Sequence, residues 1–250
     1  MTDKDIADFK IIERHFLKSN CKSGIRQLKM ILERKEGIIF NRKKISRIKK
    51  KFGLETKIRV KNKYKTFRIK MNEHKSCPNL LERNFVQRYA DKVYSIDITQ
   101  VRYAQKKAYI AAVKDLCTKE IVAKEVSSRI DLNLTNTTIK KALSRLSASA
   151  RKKLMIHSDQ GFHFTHYSYR KILETNGVKQ SMSRRGNCLD NAPIETFFGI
   201  LKDHLDLRGC NTIEKVKNEV TKKVNYYNYE RPQLGLKKMP PSFYRRHLIS

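Results

Sequence analysis

The chain has 250 residues, enough for one large domain or two small ones with a proper core, and its 39% aliphatic and aromatic residues recur in periodic runs that exclude whole-chain disorder. Its 56 Lys and Arg against 24 Asp and Glu leave a formal +32, a surface that seeks polyanions and binds nucleic acid by neutralising phosphates. The charged Met1–Lys10 stretch lacks the apolar region of a secretory leader, and no run reaches the ~18 apolar residues of a membrane span.

Positive charge is concentrated early. From Cys21 to Lys75 there are 20 Lys and Arg against four Glu, half of the net charge in about a fifth of the length. Ser23 precedes a run with Ile25, Leu28, Ile31 and Leu32 at helical spacing that closes before Gly37. Asn41 is placed to cap a second, very basic helix with Ile45 and Ile48 inward and Gly53 at its end. Two short helices around a turn resemble a helix-turn-helix, so Arg42, Lys43, Arg47 and Lys50 are candidate DNA contacts; the alternative is a solvated basic face. Residues 1–55 are expected to form this helical domain. Residues 56–90, where bases alternate with apolar and aromatic residues, read as a basic linker tracking a backbone.

From Lys92 an α/β pattern begins. Tyr94, Ile96 and Ile98 alternate with Ser95, Asp97 and Thr99, so a strand puts Asp97 on the face opposite the apolar set. Strands are expected over Ala108–Val113 and Ile121–Val126, then a helix carrying Leu134, Ile139, Ala142, Leu143 and Leu146. A buried strand around Leu154–Ile156 stops at the turn sequence Ser158-Asp159-Gln160-Gly161. Thr165–Asn176 reads as a helix closed by Gly177, and Val178–Met182 as a strand. Pro193 opens a helix whose Ile194, Phe197, Phe198, Leu201 and Leu205 form an apolar stripe. A last helix carries Ile213, Val216, Val220, Val224 and Tyr227, after which Arg231-Pro232 and Pro240-Pro241 break the chain into loops. Five scattered cysteines without a C-x-x-C pair suggest reduced thiols, and His74 with Cys77 has no second pair to make a zinc site.

In so basic a chain, acids at the ends of apolar strands stand out. Phosphodiester chemistry by metal ions needs hard oxygen ligands, which carboxylates supply. Asp97 lies mid-strand, Asp159 just past a strand end, and Glu195 in the first turns of a helix; singly, each also reads as an ordinary strand, turn or helix-start residue. Sixty-one residues separate the two aspartates and 35 separate Asp159 from Glu195.

That spacing resembles the DDE triad of retroviral-integrase-type transposases. The words around it, Tyr94-Ser95-Ile96-Asp97, His157-Ser158-Asp159-Gln160-Gly161, Ser183-Arg184-Arg185-Gly186-Asn187 and Asp190-Asn191-Ala192-Pro193-Ile194-Glu195, are similar to those of OrfB-type insertion-sequence transposases. So is the C-terminal Tyr229-Glu230-Arg231-Pro232-Gln233, and the similarity runs over roughly residues 20 to 245. The resemblance implies an α/β fold: a ribonuclease-H-like core over 91–205 with a mixed five-stranded sheet flanked by helices, completed by 206–250.

It further implies that Asp97, Asp159 and Glu195 hold Mg²⁺ or Mn²⁺, two ions per site, and that Lys202, with Arg184 and Arg185, contacts DNA. Lys202 stands seven residues after Glu195, within about 20° on a helix. His157 flanks the site, either orienting a nucleophile or packed in its strand. The implied partners are double-stranded DNA at element ends and targets, further copies of the chain, and an OrfA-type partner or fusion. The implied setting is the bacterial cytoplasm near the nucleoid. Tyr94 stands where the family commonly has Trp and Ile25 where it has Tyr, changes expected to alter packing only; His204 replaces a usual acid. A non-catalytic DNA-binding regulator and a ribonuclease-H-fold nuclease are the rival readings.

Overall fold

The computed structural model describes residues 3–57, 76–184 and 187–249. Most of the proposed linker, as well as Arg185, lies outside them.

The N-terminal domain has three helices, one more than the sequence suggests: α1 (Asp3–Lys18), α2 (Ile25–Glu36) and α3 (Arg42–Lys51). α1 contributes Ile12 and Phe16 to a core shared with Leu28 and Leu32 of α2 and Ile45 and Ile48 of α3. Charged residues occupy so much of α1 that its apolar stripe is easy to overlook. The start of α2 is capped by Gly24 rather than Ser23, whose amide donates to Ser19 Oγ (3.1 Å). Asn41 caps α3 as expected, its side chain accepting from Lys43 N (3.0 Å).

The core is built on five strands: β1 (Val93–Tyr103), β2 (Lys106–Asp115), β3 (Ile121–Ser127), β4 (Met155–Ser158) and β5 (Lys179–Met182). They lie in the order β3-β2-β1-β4-β5. The first three are antiparallel, and β4 and β5 run parallel to β1, giving a mixed sheet. The alternation along β1 sorts the two faces. Tyr94 and Ile96 join Val113, Ile156 and Met182 under α4 (Leu132–Ser144) and α7 (Tyr167–Thr175). Val101 and Tyr103 join Ala108, Ile110 and Ala112 on the other face, against Ile194, Phe197, Phe198 and Leu201 of α8 (Ala192–His204) and Val216, Val220 and Val224 of α9 (Ile213–Asn225). Asp97 shares parity with Val101, so it stands on the α8 face.

Between α4 and β4 lies a short α5 (Ala148–Lys152). The helix expected over Thr165–Asn176 starts two residues later, as α7, behind a separate short turn of helix. α6 (Phe162–Thr165) ends at His166, whose extended backbone (ψ 144°) breaks the spiral and whose Nδ1 accepts from Ser168 N (3.1 Å) to cap α7. After α9, the turn Tyr226–Glu230 widens into a π-helical turn that places Asn228 against the backbone of Ile121 (3.0 Å each way). The chain does not end in loops. Pro241 opens α10 (Pro241–Ile249), as a first-turn proline can, since it needs no amide partner there.

Candidate active site

The parallel β1–β4 ladder leads toward both aspartates: its last pair is Ser95 opposite His157, with Asp97 two residues further on in β1 and Asp159 one residue past the end of β4. Each carboxylate is oriented by a backbone amide: Ile98 N donates to Asp97 Oδ1 (2.7 Å) and Gly161 N to Asp159 Oδ1 (2.8 Å). The second bond explains Gly161, because a Cβ there would stand 2.8 Å from Asp159 Oδ1.

Beneath the two aspartates runs a buried polar row. Lys114, Ser95, His157 and Ser181 are cross-strand neighbours on β2, β1, β4 and β5, all at most 5% exposed. His157 is held between two hydroxyls, Nδ1 at 2.9 Å from Ser181 Oγ and Nε2 at 3.2 Å from Ser183 Oγ. Burial pushes its pKa below the usual histidine value, against the opposing pull of Asp190 and Asp159. Of the two sequence readings, the structure supports the packed histidine.

Glu195 projects from the first turns of α8, exposed, beside the fully buried Ile194. Lys114 fixes the start of that helix to the sheet, its Nζ donating to Pro193 O (2.7 Å). Lys202 is half-buried, two turns further along. Among the described residues no three His, Cys, Asp or Glu side chains already stand close enough to hold a metal ion. The donor chemistry of Asp97, Asp159 and Glu195 suits a hard divalent cation, which takes carboxylate oxygens.

The remaining candidates have varied surroundings. Arg184 is engaged within the protein. Its Nε and Nη2 donate to Asp190 Oδ2 and Oδ1 (3.0 Å each), and its backbone amide donates to Oδ2 (3.0 Å). Asp190 is fully buried, also receives Arg83 Nε (2.7 Å) and Asn79 Nδ2 (3.1 Å), and is held well below the usual carboxylate range, foremost by Arg184. Arg47 likewise makes a two-pronged pair with Asp5 of α1 (2.7 and 2.9 Å), tying α1 to α3. Arg42, Lys43 and Lys50 are exposed.

The sequence reading passed over Lys114, Arg83 and Asp190. A lysine amid the apolar run of β2 is the one signal that could have pointed to a buried role. Tyr94 does more than pack, since its hydroxyl donates to Asp91. His204 Nδ1 donates to Ile200 O (2.9 Å), a helix-capping contact in place of the expected acid.

Comparison with known proteins adds to this geometry. The integrase core domain family matches residues 88–188 and, in a second form, 176–241; an HTH-like domain matches residues 3–62. InsK of insertion sequence element IS150 from Escherichia coli K12 is 33% identical over 94% of this chain and 82% of its own. A transposase-like protein of Haemophilus influenzae is 34% identical over 88% of this chain and all of its own. The transposase for insertion sequence element IS904 of Lactococcus lactis is 30% identical over 84% and 83%. The HTLV-2 integrase catalytic core, solved in complex with magnesium, is a far more distant likeness at TM-score 0.48 and 14% identity, covering 62% of this chain and 96% of that one. With identities of 30% and above over most of both chains, and an integrase core set behind an HTH-like domain, the chain belongs to the insertion-sequence transposase family.

Proposed function

We propose that this transposase cleaves DNA at insertion-sequence ends and transfers the freed 3′-hydroxyl to another phosphodiester, with Asp97, Asp159 and Glu195 as ligands for two Mg²⁺ or Mn²⁺ ions. The observation that supports this reading is the β1–β4 ladder, which pairs Ser95 with His157 two residues before each aspartate, on the face where Lys114 pins the first turn of α8. When bound, such ions polarise the scissile phosphate and activate the attacking oxygen. The chain's own contribution is positional. Backbone amides fix the two aspartates, the α8 stripe fixes the helix, and Glu195, exposed and on a rotatable stem, closes the ligand set. Its basic surface neutralises the backbone that the site must approach.

The partners in this reading are double-stranded DNA and further copies of the chain, together with an OrfA-type polypeptide, free or fused, in the bacterial cytoplasm. Arg42, Lys43 and Lys50 of α3, Lys202 of α8 and Arg185 are the DNA contacts of this reading, while Arg47 and Arg184, candidates with them, are tied to Asp5 and Asp190. The division is 1–55 for the DNA-binding domain, 56–90 for the linker, 91–205 for the core and 206–250 for the segment that completes it.

The test is Glu195→Gln. It keeps the helix and the side-chain shape but removes a ligand charge, so metal-dependent cleavage of element-end duplex should fall by about 10³-fold or more while DNA binding is unchanged. Titration of Mn²⁺ by calorimetry should show weaker binding in the variant. Equal cleavage by variant and parent would favour a DNA-binding regulator, and cleavage of RNA–DNA hybrid in preference to element ends would favour a nuclease.

A further inference from the structure

A groove of about 1080 Å³ lies between the N-terminal domain and the core, away from the carboxylates. Four separate pieces of chain wall it: the α1–α2 turn with Lys22, the segment after α3 with Lys57, the tip of the β1–β2 hairpin with Arg102 and Lys107, and the α8–α9 connection with Arg208. Lys57 N donates to Cys21 O (2.9 Å), which holds the end of the first domain against its own turn. Of the charged residues lining the groove, five are cations and one is an acid, Asp206, already held by Arg208 at 2.7 Å. Arg102 and Lys107 are exposed. The positive charge of Lys22 reaches the end of α8, where it helps to depress the His204 pKa, although burial is the larger cause. Five like charges drawn from four segments, with one acid among them, make a concave surface complementary to a polyanion.

Two rulers place this groove relative to the site. Along β1, Arg102 is five positions on from Asp97, about 17 Å at ~3.3 Å per residue. Along α8, Leu205 at the groove wall is ten positions on from Glu195, about 15 Å at 1.5 Å per residue. Successive phosphates on one DNA strand advance about 3.4 Å along the axis, so either distance corresponds to about five base pairs. Lys202 lies on α8 between the two points.

We infer that this groove holds the sugar–phosphate backbone of duplex DNA about five base pairs from the bond cleaved at the carboxylates. The inference rests on the transposase reading for the position of that bond, though not for the binding itself. Because two walls belong to the HTH-like domain and two to the core, a backbone seated there couples end recognition to cleavage geometry. Contacts of this kind position a duplex without reading its sequence.

The experiment compares the full chain with an Arg102→Ala/Lys107→Ala double variant, both on exposed hairpin positions, with a melting curve to confirm the fold. On a random-sequence duplex, the slope of log affinity against log salt should flatten by about 1.8, that is ~0.9 for each lost phosphate contact, and Arg102→Lys/Lys107→Arg should restore it. Hydroxyl-radical footprinting on an element-end duplex should then show protection lost about five base pairs from the cut and kept elsewhere. An unchanged slope overturns the groove, even when the parent protein cleaves normally. A flattened slope with no metal-dependent cleavage by the parent keeps the groove and overturns the transposase reading. A flattened slope with protection lost only at a distant position overturns the placement.

Discussion

The two ends of the central sheet both gather acids, and they treat them in opposite ways. At the end where β1 and β4 begin, Asp91, Asp115 and Glu120 converge on Arg245 of α10, which is only 14% exposed. Its Nη1 donates to Asp91 (2.8 Å), its Nη2 to Asp115 (2.7 Å) and its Nε to Glu120, which also receives Arg145 (3.3 Å). About 10 Å along β1 from the Tyr94–Asp115 pair stands Asp97, half-exposed like Asp159, and the orientation of both comes from the amides of Ile98 and Gly161, which hold a carboxylate without adding formal charge. The acids Asp115 and Glu120, which fasten the fold, are buried around a guanidinium. Those proposed to meet metal and DNA stay within reach of solvent. Acidity in a basic chain therefore points to chemistry only once the nearest cation has been found.

The largest effect on stability should come from breaking the first cluster. Arg245→Met leaves Asp115, fully buried, without its guanidinium, and losing one partner of a buried ion pair costs about 3–5 kcal/mol. Burial already pushes the Asp115 carboxyl above its usual range, with Arg245 opposing that push, so removing the arginine should favour the neutral acid further. Urea denaturation should show the loss in the midpoint. Asp97→Asn is the matched control: its midpoint should stay within about 0.5 kcal/mol of the parent while metal-dependent cleavage is abolished. An Arg245→Met protein as stable as its parent, or an Asp97→Asn protein that unfolds, would erase the distinction between the two ends.

That distinction also marks what the sequence could tell. β1, β4, the turn after β4 and the α8 stripe are local patterns, so the strand, turn and helix-start positions of Asp97, Asp159 and Glu195 were legible, whereas their role as ligands rests on spacing and resemblance. The Arg245 cluster has no local pattern. Its members lie up to 154 residues apart and meet only because α10 docks on the strand ends, a helix hidden behind the Pro240-Pro241 pair. α1 was missed for a related reason: its Asp5 and Asp8 look like solvent-facing charges until α3 supplies Arg47, Lys51 and Lys44 as partners. The same pairing changed the reading of α3, where a basic run resembled a uniform DNA-binding face although Arg47 is tied to Asp5 and Lys49 is buried over the Phe16 ring at 3.6 Å. Long-range ion pairs decide which charges are offered outward, and sequence spacing does not record them.

Adjacent residues of β2 sharpen the contrast on a smaller scale. Asp115 and Lys114 point to opposite faces of the sheet, both buried; Asp115 meets a guanidinium, whereas Lys114 meets the Pro193 carbonyl. Burial, reinforced by the charge of Arg231, depresses the Lys114 pKa from 10.5 to about 7. Between those values the unfolded chain carries a proton that the folded chain has released, so this residue makes stability rise with pH from about 7 toward 10.5 and level off below 7, where both states are protonated. Lys114→Met removes the titration. The stability of the parent relative to the variant should therefore increase by about 2 kcal/mol between pH 7 and pH 9, read from urea midpoints at the two values. If the two proteins keep a constant difference over that range, the lysine holds its charge inside the fold. Its grip on the first turn of α8 would then be an ion–dipole contact with the Pro193 carbonyl, as insensitive to alkaline pH as the Arg245 clamp on the other face.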